Sequence, residues 1–314
     1  MREHSVSSHS IALAVMLFLL SAMGQAHAAQ VVTDTIRQWA HQAVSNEASL
    51  DFKPASNTVA VLYFQNQTNR SNIDFLQKGM TIMLISDLAK LQEIQVVERT
   101  HLQALVQEMQ MGTSGIVAAD TAPRVGRLLG ARYLVGGDLN TAQADTIRID
   151  SSLLNVPQNG IIGSSSSIGN MDALLRMEKE ILFGLVHLLR IDLTEAQKAE
   201  LRKPITTNIK ALMFLVHGIQ SSDEGDYAQA ADFYERALKL DPGFEPAKSA
   251  ITELRNLKLI SPGPGTDALL RDLRNRVSVN TGPIPDQITK RRNSEPASVQ
   301  GPGGTQPADV RVRW

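Results

Sequence analysis

The run from Arg127 to Leu154 constrains the fold more than any other part of the chain. It opens as the end of a helix capped by Gly130, passes into a short buried strand at Tyr133 to Val135 that ends in Gly136-Gly137, and resumes as a second strand. Ile147, Ile149, Ser151 and Leu153 alternate there with Arg148, Asp150, Ser152 and Leu154, so one face is mostly buried and the other mixed. Only Asn140 to Thr146 separates Leu139 from Ile147, an ordinary hairpin length.

Around this run the chain alternates helices and strands. Asn57 to Gln65 predicts a central strand, with Val59, Val61 and Tyr63 on one face and Ala60, Leu62 and Phe64 on the other. Asp74 to Leu91 predicts a helix with one broad apolar face through Leu76, Met80, Met83, Leu84 and Leu88. A short strand at Ile94 to Val97, a helix through Leu102, Leu105 and Met109, the loop MGTSG, and a helix with Pro123 in its first turn complete the approach to Gly130. After the hairpin come a turn at Pro157 to Gly160, a weaker strand at Ile161 to Ile168 diluted by four serines, and a long helix from Met171 to Ile191. The second half of that helix is apolar nearly all round, so it is expected to be deeply buried, with His187 as a satisfied or boundary histidine.

The N-terminus carries an address. Ile11 to Leu20 is an apolar run of signal-peptide length, too short for a bilayer, and Ala26-His27-Ala28 fits the small-x-small cleavage rule. Residues 1–28 are therefore read as a cleaved signal and 29–56 as an N-terminal helix and linker, with an apolar stripe at Ile36, Trp39, Ala40 and Val44. The chain has no cysteine, which excludes disulfides, thiolate metal sites and a lipid anchor on a mature N-terminal Cys. A net charge of −1 gives no electrostatic case for nucleic acid or membrane surfaces.

From Leu193 the pattern becomes purely helical, and residues 192–258 resemble a tetratricopeptide repeat with a capping helix. Counting the repeat's roughly 34 residues from Ala211, Gly218, Gly225, Tyr227, Ala230, Tyr234, Ala237 and Pro242 fall on its signature positions, while His217 and Ser221 depart from it. One repeat cannot bury its own apolar surface. Leu212, Leu215 and Ile219 on the first helix must therefore dock on the preceding domain or on another chain, and they are the candidate partner-binding residues.

The preceding domain, residues 57–191, resembles the CsgG family of curli-secretion and related bacterial envelope proteins. The resemblance rests on NTVAVLYFQN, on FLQKGMTIMLISDLAKLQEIQVVERTHLQALVQEM and on GRLLGARYLVGGDL. It implies an α/β (α+β) sandwich domain that forms rings or sits on other envelope components. The family's secretion member is a lipid-anchored oligomeric pore whose barrel comes from long hairpins inserted between core strands. A transmembrane strand needs about 9 to 11 residues, and neither Asn140 to Thr146 nor the connection after Ile168 supplies such a hairpin, so pore formation through this domain is rejected.

No catalytic motif appears: there is no Walker loop, G-x-G-x-x-G or G-x-S-x-G, and His41, His101, His187 and His217 show no metal-ligand spacing. No cofactor or metal is expected. Glu98-Arg99, at a strand end, reads as a first-turn charge pair on the next helix. Residues 259–314 hold seven of the thirteen prolines and read as a mostly disordered tail, with a candidate docking helix at Thr266 to Val277. The expectation is a non-catalytic periplasmic scaffold with envelope-protein partners, forming rings of its own copies in one variant; a secretion-channel component and a periplasmic enzyme are the competing classes.

Overall fold

In the computed structural model the described residues are 30–111, 117–143 and 145–261. The expected signal segment, 1–28, and residues 262–314 of the expected tail, with its candidate docking helix, lie outside them, as does most of the MGTSG loop. The elements are helix α1 (Asp34–Ser45), strands β1 (Thr58–Val61) and β2 (Gln65–Asn66), helix α2 (Phe75–Leu88), strand β3 (Gln95–Val96), and helices α3 (Arg99–Glu108) and α4 (Ala122–Leu128). Strands β4 (Tyr133–Gln143), β5 (Thr146–Asn155) and β6 (Gly160–Gly169) follow, then helices α5 (Leu174–Leu188), α6 (Glu195–Leu201), α7 (Ile209–Asp223), α8 (Tyr227–Leu240) and α9 (Glu245–Asn256).

The sheet runs β3-β1-β4-β5-β6, with β2 extending the β1 line along β4. Its first half is parallel, β1 pairing with both β3 and β4, because helices occupy each crossover. Its second half is an antiparallel meander in which β4 pairs along its whole length with β5, and β5 with β6. The two halves are covered differently. Val59, Val61, Phe64, Val135, Leu139, Ile147 and Ile149 build one core with α2, α5 and α7. On the opposite face Ala60, Leu62, Leu134 and Val156 build a second core under α3 and α4.

Three expectations are corrected. Tyr133 to Val135 is the start of an 11-residue strand, which runs through the glycine pair to Gln143. Gly137 permits it: a Cβ there would lie 2.2 Å from the Phe64 ring and 2.4 Å from the Asp150 carbonyl. The alternation assigned to Asn57–Gln65 slips at Tyr63, which joins Ala60 and Leu62 while Phe64 joins Val59 and Val61. Regular pairing ends at Val61, and Thr81 Oγ1 donates to the Leu62 carbonyl where strand geometry lapses. His187 is exposed, since the apolar second half of α5 divides its contacts between the core and β6.

Helix α5 lies close on β6 because the strand offers it only small side chains. A Cβ at Gly163, Gly169 or Gly184 would fall within 3 Å of Leu188, Met177 or Ser165 respectively. Two of the four serines, Ser165 and Ser167, thus form the floor of a helix contact.

The helical unit from α7 to α9 belongs to the same compact unit as the sheet, which ends at Ser261. Asn208 caps α7, Asp226 caps α8, and Gly225 turns between them at φ +85°. Leu212, Leu215 and Ile219 are fully buried in the core they share with α2. Their burial withdraws them from any surface the folded chain presents to a partner: of the two coverings open to that face, this structure shows the chain's own.

Candidate functional site

Two places concentrate polar chemistry. The first is the junction where α7 meets α2 and α3. Arg99 is 1% exposed, the bulkiest of the fully buried side chains. Its Nη1 donates to both Asp223 carboxylate oxygens at 3.1 and 3.0 Å and to Tyr63 Oη at 3.0 Å. Its Nη2 donates to Asp223 Oδ1 at 3.1 Å and to the Gln30 carbonyl at 2.7 Å. Lys78 Nζ reaches the same carboxylate at 2.8 Å and lies over the Tyr63 ring. Glu253 on α9 closes the cluster by accepting from the backbone N–H of Gln30 at 2.7 Å and of Val31 at 3.2 Å.

Glu98-Arg99 is therefore not a first-turn charge pair. Glu98 makes no side-chain cap to α3, and Arg99 turns inward to tie the sheet domain, the N-terminal segment and the helical unit together. A guanidinium suits this place because its planar fork holds several acceptors at once in a dry setting. Burial lowers the basicity of Lys78, opposed chiefly by Asp223, and burial pushes the Tyr63 hydroxyl well above its ordinary value. Asp223 has no signal in the sequence: it stands at the end of an apolar helix, where a solvated acid is ordinary.

The second place is the half of the sheet that α3 and α4 leave uncovered. Cross-strand register stacks it in rows: Gly136, Ser152 and Ser164; Asp138, Asp150 and Ser166; Asn140, Arg148 and Ile168; Ile161 stands beside Leu154 where this face borders the second core. Asp150 accepts from Ser166 Oγ at 2.7 Å, Arg148 Nε at 2.7 Å and Asn140 Nδ2 at 2.9 Å. Burial works against its ionisation, yet these donors hold it below the ordinary carboxylate value. Burial, and then the Asp150 charge, raise Asp138. At the margin stand Ile161, Ile162 and Ile168, 70, 42 and 55% exposed. Among the described residues, strand β6 ends the sheet order and pairs only with β5. The alternation of Arg148, Asp150 and Ser152 marks this face in the sequence; its lack of a covering helix does not show there.

Among the described residues no three His, Asp or Glu side chains converge as a metal site, and no helix is long and apolar enough to cross a membrane. His41 pairs with Glu108 at 2.8 Å, His101 stands edge-on to Trp39, and His217 packs beside Phe233.

A mixed sheet with helices on both faces of its parallel half defines an α+β domain. Residues 40–146 match the family described as Curli production assembly/transport component CsgG, so the chain carries a CsgG family domain there. The match ends at the hairpin turn, and β6, α5 and the helical unit lie beyond it. A curated relative, the "Putative adenylate cyclase 3" of Rhizobium meliloti (strain 1021), is 23% identical over 202 residues, 63% of this chain and 32% of that protein. The chain spans about a third of that relative's length. Among solved structures, the LpoB C-terminal domain from Salmonella enterica aligns at 18% identity and a TM-score of 0.32, over 44% of this chain and 100% of that one. Lipoprotein GNA1162 from Neisseria meningitidis aligns at 15% and 0.32, over 44% and 99%. At these identities and scores the structural likeness is partial.

Proposed function

We propose that this chain is a non-catalytic protein of the bacterial cell envelope, exported to the periplasm, that works by holding other envelope proteins. The uncovered half of the sheet carries this reading. It joins the outer strand of the sheet order, the exposed isoleucines Ile161 and Ile168, and a hydrogen-bonded acidic centre on the same face. A partner that adds a strand to β6 gains main-chain hydrogen bonds there and seats its side chains against Ile161, Ser164, Ser166 and Ile168. The CsgG family domain and the signal segment support the compartment. The tetratricopeptide reading of α7 and α8 gains support from Gly218, whose Cβ would fall 2.3 Å from the Tyr234 ring, and from buried Ala230 and Ala237.

The test is photocrosslinking in cells from Ser164, with a control position at exposed Glu235 on α8. Capture of a discrete envelope protein, or of a second copy of this chain, from Ser164 alone is expected, with loss of capture in the double variant Ile161→Lys, Ile168→Lys. Equal capture from both positions would sink the proposal. So would retention of the full-length protein in the cytoplasm, or conversion of ATP to cyclic AMP by the purified chain.

A further inference from the structure

The two outer strands of the sheet order are built differently. β3 has two residues and offers another chain almost no ladder, whereas β6 has ten. Outer strands are ordinarily guarded by brevity, charge, proline or a bulge, because their unpaired N–H and C=O groups invite pairing. In this chain 20% of the residues are charged, yet residues 156–171 hold no charge and β6 holds no proline. Its guards stand at its two ends. Ile162 is the extra residue of a bulge, since Leu153 pairs with Gly163 and Leu154 with Ile161. Towards the other end Arg176 Nη2 donates to the Ile168 carbonyl at 3.2 Å. Residues 163–167 lie between these guards, and their midpoint is Ser165.

About that midpoint the strand is close to self-complementary. Antiparallel pairing with a second copy, on a two-fold axis through Ser165, sets Ser164 opposite Ser166, Gly163 opposite Ser167 and Ile162 opposite Ile168. Small residues meet in the centre, and the exposed isoleucines cover each other at both ends. A two-fold axis is exacting about charge, because a charged residue on it meets its own copy, and like charges directly opposite destabilise a sheet. A foreign strand could be matched to a charged edge as readily as to a neutral one. The neutrality of β6 over its whole length therefore favours a second copy.

Helix α5 agrees with this axis. It runs antiparallel along β6, with Leu188 at Gly163, Gly184 at Ser165, Glu180 accepting from Ser167 Oγ at 2.5 Å, and Met177 at Gly169. The axis thus passes Gly184, which has no side chain where the two α5 helices come nearest. Leu174, Ile181 and Leu185 share a core with Ile147, Ile149 and Leu153 of β5, so α5 stands inboard of the edge, as helices packed side by side at roughly 8–10 Å require. Exposed Glu180 then comes opposite Leu188 of the second copy, beside its exposed His187. An acid faces a base there, once on each side of the axis.

We propose that β6 is the joint of a two-fold dimer of this chain, in which two sheets continue into one through antiparallel pairing centred on Ser165. The proposal rests on the surface described under the proposed function and names a second copy as its occupant. Such a joint closes at two copies, so rings are not built through it. Analytical ultracentrifugation of the full mature chain is expected to show a dimer with a Kd on the order of 10 μM or tighter, and a monomer at about 100 μM would overturn the proposal. The chain has no cysteine, so introduced thiols report register without background. Opposite residues of an antiparallel pair stand about 4.5–5.5 Å apart at Cα, within reach of a disulfide, whereas diagonal neighbours stand about 7–8 Å apart. Under oxidised glutathione a mixture of the Ser164→Cys and Ser166→Cys proteins should therefore crosslink at least tenfold faster than either alone. Equal crosslinking by a single variant would place the joint elsewhere and overturn the proposal. Ser164→Lys with Ser166→Lys opposes like charges across the axis and should give monomers, while Ser164→Lys with Ser166→Glu opposes unlike charges and should keep the dimer; equal behaviour of the two would also overturn it. Capture of a different envelope protein from Ser164, with no crosslink between copies, would leave the proposed function standing and overturn this proposal alone.

Discussion

Glu178 shows what burial does to one residue. It lies on α5, 2% exposed, beside fully buried Asp87 of α2. Lys179 pairs with Asp87 and approaches Glu178 at 3.3 Å. Burial first, and then the Asp87 charge, push the Glu178 carboxyl from 4.5 up to about 8, with Lys179 opposing. The folded value lies above the unfolded one, so folding takes up a proton between the two. That contribution to stability is complete below the unfolded value and is lost as pH rises through the folded one. Between those two values the wild-type protein should therefore lose about 1 kcal/mol of stability from this group for each step of one in pH. Glu178→Gln should remove that slope and be the more stable form at pH 8. Thermal unfolding of both proteins from pH 5 to 8.5 checks it, and parallel curves would refute it. The sequence holds no sign of this carboxyl, because Glu178 and Lys179 stand on a helix whose charged residues ordinarily face water. Arg99 is visible there as a charge at a strand end, but its role depends on Tyr63. The one-residue slip after Val61 that turns Tyr63 toward α3 leaves no mark in an apolar run where both faces are buried.

At the scale of elements, periodicity tells where helices and strands lie, and contact between elements decides the rest. The strands of the meander run longer than their apolar cores suggest, since backbone pairing extends past the point where side chains are buried: β4 continues through exposed Thr141 and Gln143. The apolar spacing of α2 marks one broad stripe, but the helix is buried on two sides, by the sheet and by α7. Two glycines separate helix preference from helix contact. A Cβ at Gly79 on α2 would meet Val216 at 3.6 Å and Leu212 at 3.9 Å, ordinary contact distances. At Gly218 on α7 it would clash with the edge of the Tyr234 ring, 2.3 Å from Cε1. Gly79→Ala should thus stabilise by up to about 1 kcal/mol through helix propensity. Gly218→Ala should destabilise by about 1–3 kcal/mol through overpacking against a fully buried ring. Urea midpoints of the two variants decide it; a fall for both would show that the α2 and α7 interface has no room at Gly79 either.

For the whole molecule, the question is whether the helical unit folds with the sheet or merely rests on it. Leu212, Leu215 and Ile219 lie in the same core as Met80 and Met83 of α2, so removing α7 would open that core to water. The strongest polar tie across this contact is the Arg99, Lys78 and Asp223 cluster, closed by Glu253 on the backbone of Gln30 and Val31. Elements that share a core and a buried ion pair should open together, so native-state hydrogen exchange should give amides in the centre of α2 and of α7 the same opening free energy. Arg99→Ala leaves Asp223 with Lys78 alone and removes the donor to Tyr63 Oη, a loss of about 3–5 kcal/mol for a broken buried pair. If the chain is one cooperative body, that loss appears equally in α2 and α7. Loss confined to α7, α8 and α9, with α2 still protected, would instead describe a repeat-like unit that detaches from the sheet, and would place Leu212, Leu215 and Ile219 back among surfaces a partner can reach.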